Sequence, residues 1–168
     1  MKKLFFFLSL ALISFICRAQ QIEEFKARYI LNFANQTEWP AAYRSGNFVI
    51  GVIGNSTVAK ELQKICKTQK VGGQTVEVKV FSNANSVDKC HLLFIPQNQS
   101  GNIGKIVDKT SSNSTLLVSD NEGLVKEGSM INFVLRNKKL NFEMNKNNIT
   151  KRGLKITSYL EKLAIVIN

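Results

Sequence analysis

Histidine, cysteine and proline are scarce in these 168 residues, with one histidine, three cysteines and two prolines, and each shortage closes off a class of chemistry. A single imidazole, His91, and the thiols of Cys17, Cys66 and Cys90 do not make up a zinc finger, an HExxH helix or any other usual metal-ligand spacing. His91 directly follows Cys90. Neighbouring side chains on a strand point to opposite faces, so these two cannot work together as base and nucleophile, and His91 reads as structural. Phosphate loops are missing too. Gly51-Val-Ile-Gly54 is not GxGxxG and has Val80-Phe81 where an acidic residue should end the following strand, while Gly101-Asn-Ile-Gly104-Lys105 lacks the Walker spacing and its Ser/Thr. No catalytic, metal-binding or cofactor-binding residue is assigned on these grounds.

There is also no block of like charge. The cations are scattered, densest at Lys67/Lys70, Lys138/Lys139 and Lys151/Arg152/Lys155, and no aromatic platform interleaves with them, which excludes nucleic acid as the natural partner. Only one long apolar run exists, the 13 residues Leu4 to Ile16, preceded by Lys2 and Lys3 and followed by Cys17-Arg18-Ala19. That is the pattern of a cleavable export signal over residues 1–19, and it is too short for a comfortable membrane span. Phe15 and Ile16 are bulkier than an acylation signal at Cys17 would have. The mature chain is therefore expected to begin at Gln20 and to form one domain over 20–168. Loss of Lys2, Lys3 and Arg18 lowers the formal charge from +11 to +8. An exported protein of that charge is attracted to anionic membranes and to acidic protein patches.

Periodicity then supplies the elements. Ile22, Phe25, Tyr29 and Phe33 recur at helical spacing over 20–35, before Trp39-Pro40. Phe48 to Ile53 is a strand apolar on both faces that feeds a helix through Val58, Leu62 and Ile65. Thr75 to Phe81 alternates and so has one wetter face, and His91 to Ile95 is apolar throughout. The eight or so residues between these two are short for a parallel crossover, which leaves their relative direction open. A helix over Ile103–Lys109, a strand over Thr115–Val118 and a short helical turn opened by the capping box Ser119-Asp-Asn-Glu122 follow. Ile131–Leu135 and Leu140–Met144 flank the turn Arg136-Asn-Lys-Lys139 as a hairpin. Asn145 caps a short helix that Gly153 ends, and the capping box Ser158-Tyr-Leu-Glu161 opens the last one. The fold class is α/β: a single domain with a mixed, mostly parallel sheet of five to six strands, helices on both faces, and a C-terminal β-hairpin plus helices.

An exported domain with two cysteines beyond its leader favours a disulfide between Cys66 and Cys90, with a redox-sensing pair as the rival reading. Closing that loop of about 25 residues would stabilise by roughly 3.5 kcal/mol on the chain-entropy model.

These segments also carry a resemblance. Phe25-Lys-Ala-Arg-Tyr-Ile-Leu-Asn-Phe33 with Glu38-Trp39-Pro40, Phe48 to Gly54, Val71-Gly72-Gly73 with Val76-Glu-Val78, Cys90 to Ile95, Leu116 to Asp120, Gly128 to Phe133, Phe142-Glu-Met-Asn145 and Arg152-Gly-Leu-Lys-Ile156, in this order, resemble the YfiR/HmsC family of bacterial periplasmic regulators. The resemblance implies a non-catalytic periplasmic α/β protein, often a homodimer. It would repress an inner-membrane diguanylate cyclase by binding its periplasmic region, and so lower cyclic-di-GMP and biofilm formation. It also implies that the family's disulfide falls on Cys66 and Cys90, and that Glu143, Asn145, Arg152 and Ile156 mark the partner-binding surface. A second cysteine pair of some members has no counterpart, because no cysteine follows Cys90. The competing expectation is a periplasmic small-molecule-binding component that feeds a sensor kinase or cyclase. A deep pocket with convergent polar groups favours that reading, and an exposed apolar patch favours protein contact.

Overall fold

Strands that are apolar on both faces can be stable only in the middle of a sheet with cover above and below, and that requirement organises the chain. The computed structural model describes residues 21–167. The expected leader, with Cys17, lies outside them.

The first helix, α1 (21–35), is followed by β1 (Thr37–Glu38), β2 (Phe48–Ile53), α2 (Thr57–Ile65), β3 (Lys70–Val71), β4 (Gln74–Phe81) and β5 (Leu92–Ile95). Then come α3 (Ile103–Lys109), β6 (Leu116–Ser119), β7 (Ile131–Arg136), β8 (Lys139–Asn145), α4 (Lys146–Lys151), β9 (Lys155–Ile156), α5 (Ser158–Leu163) and β10 (Ile165–Ile167). One sheet has the order β10-β8-β7-β6-β5-β2-β4-β3, and β1 pairs separately with β9. Strands β4, β2, β5, β6 and β7 are mutually parallel, β8 returns antiparallel to β7, and β10 lies parallel to β8. Six of these strands are the ones legible in the sequence. The two short edges, β3 and β10, complete eight.

The direction left open by the short connection after β4 is now fixed. β4 and β5 are both parallel to β2 and flank it, so the connection crosses one strand with only a 3-10 turn, Ala84–Ser86, along the way. Numbered by themselves, the parallel strands run 2-1-3-4-5, the doubly wound order in which the chain reverses direction between β2 and β5. Right-handed crossovers then place α2 and α3 on opposite faces. The expected helical turn at Ser119 does not form: β6 runs through Ser119, a loop follows, and the 3-10 turn comes later, at Leu124–Lys126. Tertiary contacts outweigh the local signal there, because the Ser119 hydroxyl is drawn into the sheet, within 2.8 Å of Ser129 Oγ. The last helix is capped one residue before the expected serine, by Thr157 Oγ accepting from Leu160 N.

The face that carries α1 is an aromatic layer. Phe33 packs edge-on to Phe142 with ring centroids 4.9 Å apart and lies 5.7 Å from Phe133, which in turn meets Phe94 edge-on at 6.3 Å. Burying a side chain of this size stabilises by about 1.5–3 kcal/mol, and α1 adds Ala27, Ile30 and Ala34, fully buried like Phe33.

On the other face the sheet has a notch. Gly51 carries no side chain, and a Cβ there would stand 2.7 Å from Phe81 and 2.9 Å from Leu93, with Cys90 Sγ at 3.3 Å. Cys90 therefore fills space beneath β2 on the face away from α1. Cys66 ends α2, which borders α1 in a cleft lined by Arg28, Leu31, Asn32, Asn35, Ile65 and Gln69. The expected bridge between Cys66 and Cys90 is not formed: both are buried free thiols, with the sheet between them. Burial raises the Cys66 thiol to about 11 and the Cys90 thiol to about 12, so neither is an effective nucleophile at neutral pH. Non-reducing peptide mapping of the exported protein is expected to return both as free thiols that alkylate only after unfolding. A linked Cys66–Cys90 peptide would show that the sheet opens enough to join them.

Candidate functional site

Three polar assemblies stand out in a domain otherwise filled with aliphatic and aromatic side chains, and the first is built by strand register. The first crosses the sheet. Register pairs Ser119 with Asn132, and Asn132 with Glu143, on three successive strands. All three are buried, and alternation along the strands puts them on the face away from α1. Ser119 Oγ lies 2.9 Å from Asn132 Oδ1, and the Asn132 amide donates to Glu143 Oε2 at 3.2 Å. The other Glu143 oxygen accepts from Arg136 at 3.1 Å, and Arg136 also donates to Glu122 at 2.6 Å. The row thus leads from the sheet interior to the surface and braces the β7–β8 hairpin. The hydrogen bond from Arg136, and then its charge, hold the Glu122 carboxyl below the usual carboxylate range.

The second assembly joins α1 to the carboxyl end of β6. Lys26 Nζ donates to Asp120 Oδ2 and to Glu23 Oε1, both at 2.7 Å. Burial works against charge on the ammonium, but two carboxylates outweigh it and hold Lys26 above its ordinary value. Asp120 shares its one cation with Glu23, and burial keeps its carboxyl above the usual range. This network closes one side of a cleft of about 300 Å³ whose lining includes Ile22, Gln97, Glu122 and Leu135.

The third is an aromatic cluster at the opposite end of the sheet. His91 stacks on Phe48 with ring centroids 4.3 Å apart and meets the Tyr43 ring edge-on. Its Nδ1 accepts from Val49 N at 3.0 Å, which leaves the proton on Nε2 to be donated to Tyr43 O at 2.8 Å. Trp39 Nε1 donates to His91 O and Ser114 O. Both ring nitrogens of His91 are thus committed, and its side chain lies on the face opposite the Cys90 sulfur, so no dyad forms between them. Among the described residues no group of three or more His, Cys, Asp or Glu could hold a metal ion, and no buried side-chain polar atom lacks a hydrogen-bond partner.

The residues singled out as a partner-binding surface have internal contacts. Glu143 belongs to the buried row. Asn145 Oδ1 accepts from Asn148 N to cap α4, while its amide donates to Val125 O at 3.3 Å. The Arg152 guanidinium gathers the carbonyls at the end of α3, donating to Val107 O at 3.0 Å, Asn113 O at 3.3 Å and Thr110 O. Ile156 is half-buried and pairs with Thr37 in the β1–β9 ladder. None of the four presents an unengaged polar group. Sequence reasoning missed Lys26, Asp120, Ser119, Ser129 and Asn132. The available signal was polar residues breaking otherwise apolar strands at positions that the hairpin register makes adjacent.

A family model described as YfiR/HmsC-like matches residues 23–165. Among solved structures, the chain is similar to a conserved domain protein from Vibrio cholerae O1 biovar El Tor strain N16961. The identity is 13%, the TM-score is 0.53, and the match covers 72% of this chain and 55% of that one. At that identity the likeness speaks for the fold, and the chain spans only about half the length of that neighbour. No curated protein matches the chain.

Two outcomes follow from this geometry. Burial depresses His91 below its usual 6.5, so the stability its neutral form contributes is complete above that value and erodes as the pH falls from there through the depressed folded-state value. Urea melts are expected to show that loss between neutral and mildly acidic pH, and His91→Gln should flatten this part of the profile; an unchanged slope in the variant would assign it to other groups. For Arg152→Ala, the carbonyls at the end of α3 lose a charged donor. The expected cost is about 1.5–3 kcal/mol in a urea titration, only partly recovered by Arg152→Lys, whose single ammonium cannot reproduce the fork.

Proposed function

The chain belongs to the YfiR/HmsC-like family, and on that premise we propose that it is a periplasmic regulatory protein restraining a membrane-bound diguanylate cyclase by direct protein contact. The match across nearly the whole described chain carries this reading. The export signal read at residues 1–19 supports the compartment, and no helix among the described residues is long and apolar enough to cross a membrane. The residues that sequence reasoning singled out as chemically capable are engaged in holding the fold, which suits a protein that acts by docking.

The alternative of a small-molecule receptor calls for an enclosed pocket with convergent polar groups. The clefts described here are open to solvent, and one of about 510 Å³ is bordered by exposed Phe25 and Leu135. An exposed apolar border of this kind supports contact with another protein. In this reading Glu143, Asn145, Arg152 and Ile156 serve repression by shaping the C-terminal half rather than by touching the partner.

Deleting the gene is expected to raise intracellular cyclic-di-GMP several-fold, and a plasmid copy should restore it. Variants Glu143→Ala and Arg152→Ala should lose repression in proportion to lost abundance. Cyclic-di-GMP that stays level after deletion would sink the regulatory reading.

A further inference from the structure

The carboxyl ends of parallel strands are where doubly wound folds take their ligands, and here that end carries an apolar groove. Two clefts, of about 300 and 510 Å³, meet at Ile22, Leu135 and Leu140 and run along the first turns of α1 beside the β7–β8 hairpin. The groove's floor and walls include Ile22, Phe25, Tyr29, Leu135 and Leu140. Phe25 is 49% exposed and Leu135 57%, although each borders a well-packed aromatic layer. On α1 the lining positions 22, 25 and 29 follow helical spacing, so the helix offers one face for about two turns.

Charge identifies the occupant. The carboxylates around the groove are engaged two to a cation, Glu23 and Asp120 with Lys26, Glu122 and Glu143 with Arg136, so each of these clusters keeps one net negative charge away from the hairpin tip. The cations at the hairpin tip are not so engaged, since Lys138 and Lys139 line the groove and enter no salt bridge among the described residues. Asn137 and Lys138 adopt left-handed φ of 52° and 61°. That tight turn holds the two lysines at the rim. The groove is thus apolar along its length, with positive charge from Lys138 and Lys139 confined to the hairpin tip, and the row Glu143–Arg136–Glu122 stiffens its outer wall.

We propose that this groove docks a short amphipathic helix of a partner protein, with apolar residues at i, i+3/i+4 and i+7 set into the groove and carboxylates meeting Lys138 and Lys139. The inference rests on the regulatory reading for the partner's identity as a signalling protein, but the chemistry of the occupant comes from the groove. Repression would then be made at the α1 and hairpin end of the molecule rather than at the Arg152-to-Ile156 motif.

The test uses the exported full-length protein and a labelled 14-residue helical peptide with leucine at the apolar positions and glutamate elsewhere, followed by fluorescence anisotropy. Saturable binding is expected. It should weaken at least tenfold in Leu135→Asp and in the double variant Lys138→Glu/Lys139→Glu, and weaken with salt in the wild type. The control Lys60→Glu/Lys67→Glu changes the net charge equally at exposed lysines elsewhere and should bind as the wild type does. The same peptide with lysine in place of glutamate should bind at least tenfold more weakly. No saturable binding, equal loss in the control, or capture of phosphatidylglycerol vesicles in preference to the peptide would each overturn the proposal, the last in favour of a membrane surface. Groove variants that bind no peptide yet repress cyclic-di-GMP normally would overturn the groove as the regulatory contact while sparing the regulatory reading. Peptide binding with no cyclic-di-GMP effect of gene deletion would do the reverse.

Discussion

Burial of both faces of β2, β5 and β6 is the constraint on which the remaining structure depends. These strands carry almost no polar side chain, and Ile50, Val52, Leu92, Leu93, Phe94, Leu116, Leu117 and Val118 are fully buried. Each face must be roofed by a helix, which forces parallel strands with crossovers and hence a right-handed, doubly wound course. Once β2 is central, Gly51 has to be bare, because Phe81, Leu93 and Cys90 already occupy the space its side chain would need. The position of Cys90 follows from that notch, and its separation from Cys66 follows from α2 roofing the other face.

Polar groups inside such a layer are tolerated only when every one is satisfied. The row Ser119, Asn132 and Glu143 meets that condition by lying on one register line, each residue supplying what its neighbour lacks, and it ends on Arg136 at the surface. Lys26 solves a similar problem at the end of α1, where two carboxylates offset the cost of burying an ammonium. Breaking one partner of a buried pair is costlier than never having built it. These assemblies therefore fix the position of α1 relative to the hairpin more firmly than they add stability, and α1 and the hairpin are the two walls of the groove.

Much of the architecture was legible because its signals are local. The apolar runs at 48–53 and 92–95, the alternation at 74–81, the hairpin around Arg136 to Lys139 and the Asn145 cap each depend on residues close together in the chain. The capping box at Ser119 misled for the opposite reason. Its serine, asparagine and acidic residues suit a helix start, but Ser129 and Asn132 compete for the same hydroxyl from ten and more residues away. The C-terminal motif also illustrates the limit. Glu143, Asn145, Arg152 and Ile156 were singled out by resemblance alone, and sequence does not distinguish a residue that touches a partner from one that braces a helix end.

The sequence by itself determined the class of the fold, the central strands, the family, and the want of a nucleophile–base or metal-ligand pattern, since all of these follow from residue type and short-range spacing. Only the tertiary structure decided which way β4 and β5 run, on which faces Cys66 and Cys90 lie, that Arg152 and Glu143 have internal partners, and that Phe25 and Leu135 share one exposed groove. The physical reason is that strand order and register bring together residues more than a hundred positions apart, as Thr37 and Ile156 are. Burial and hydrogen bonding, unlike propensity, are properties of the assembled sheet and not of any segment of it.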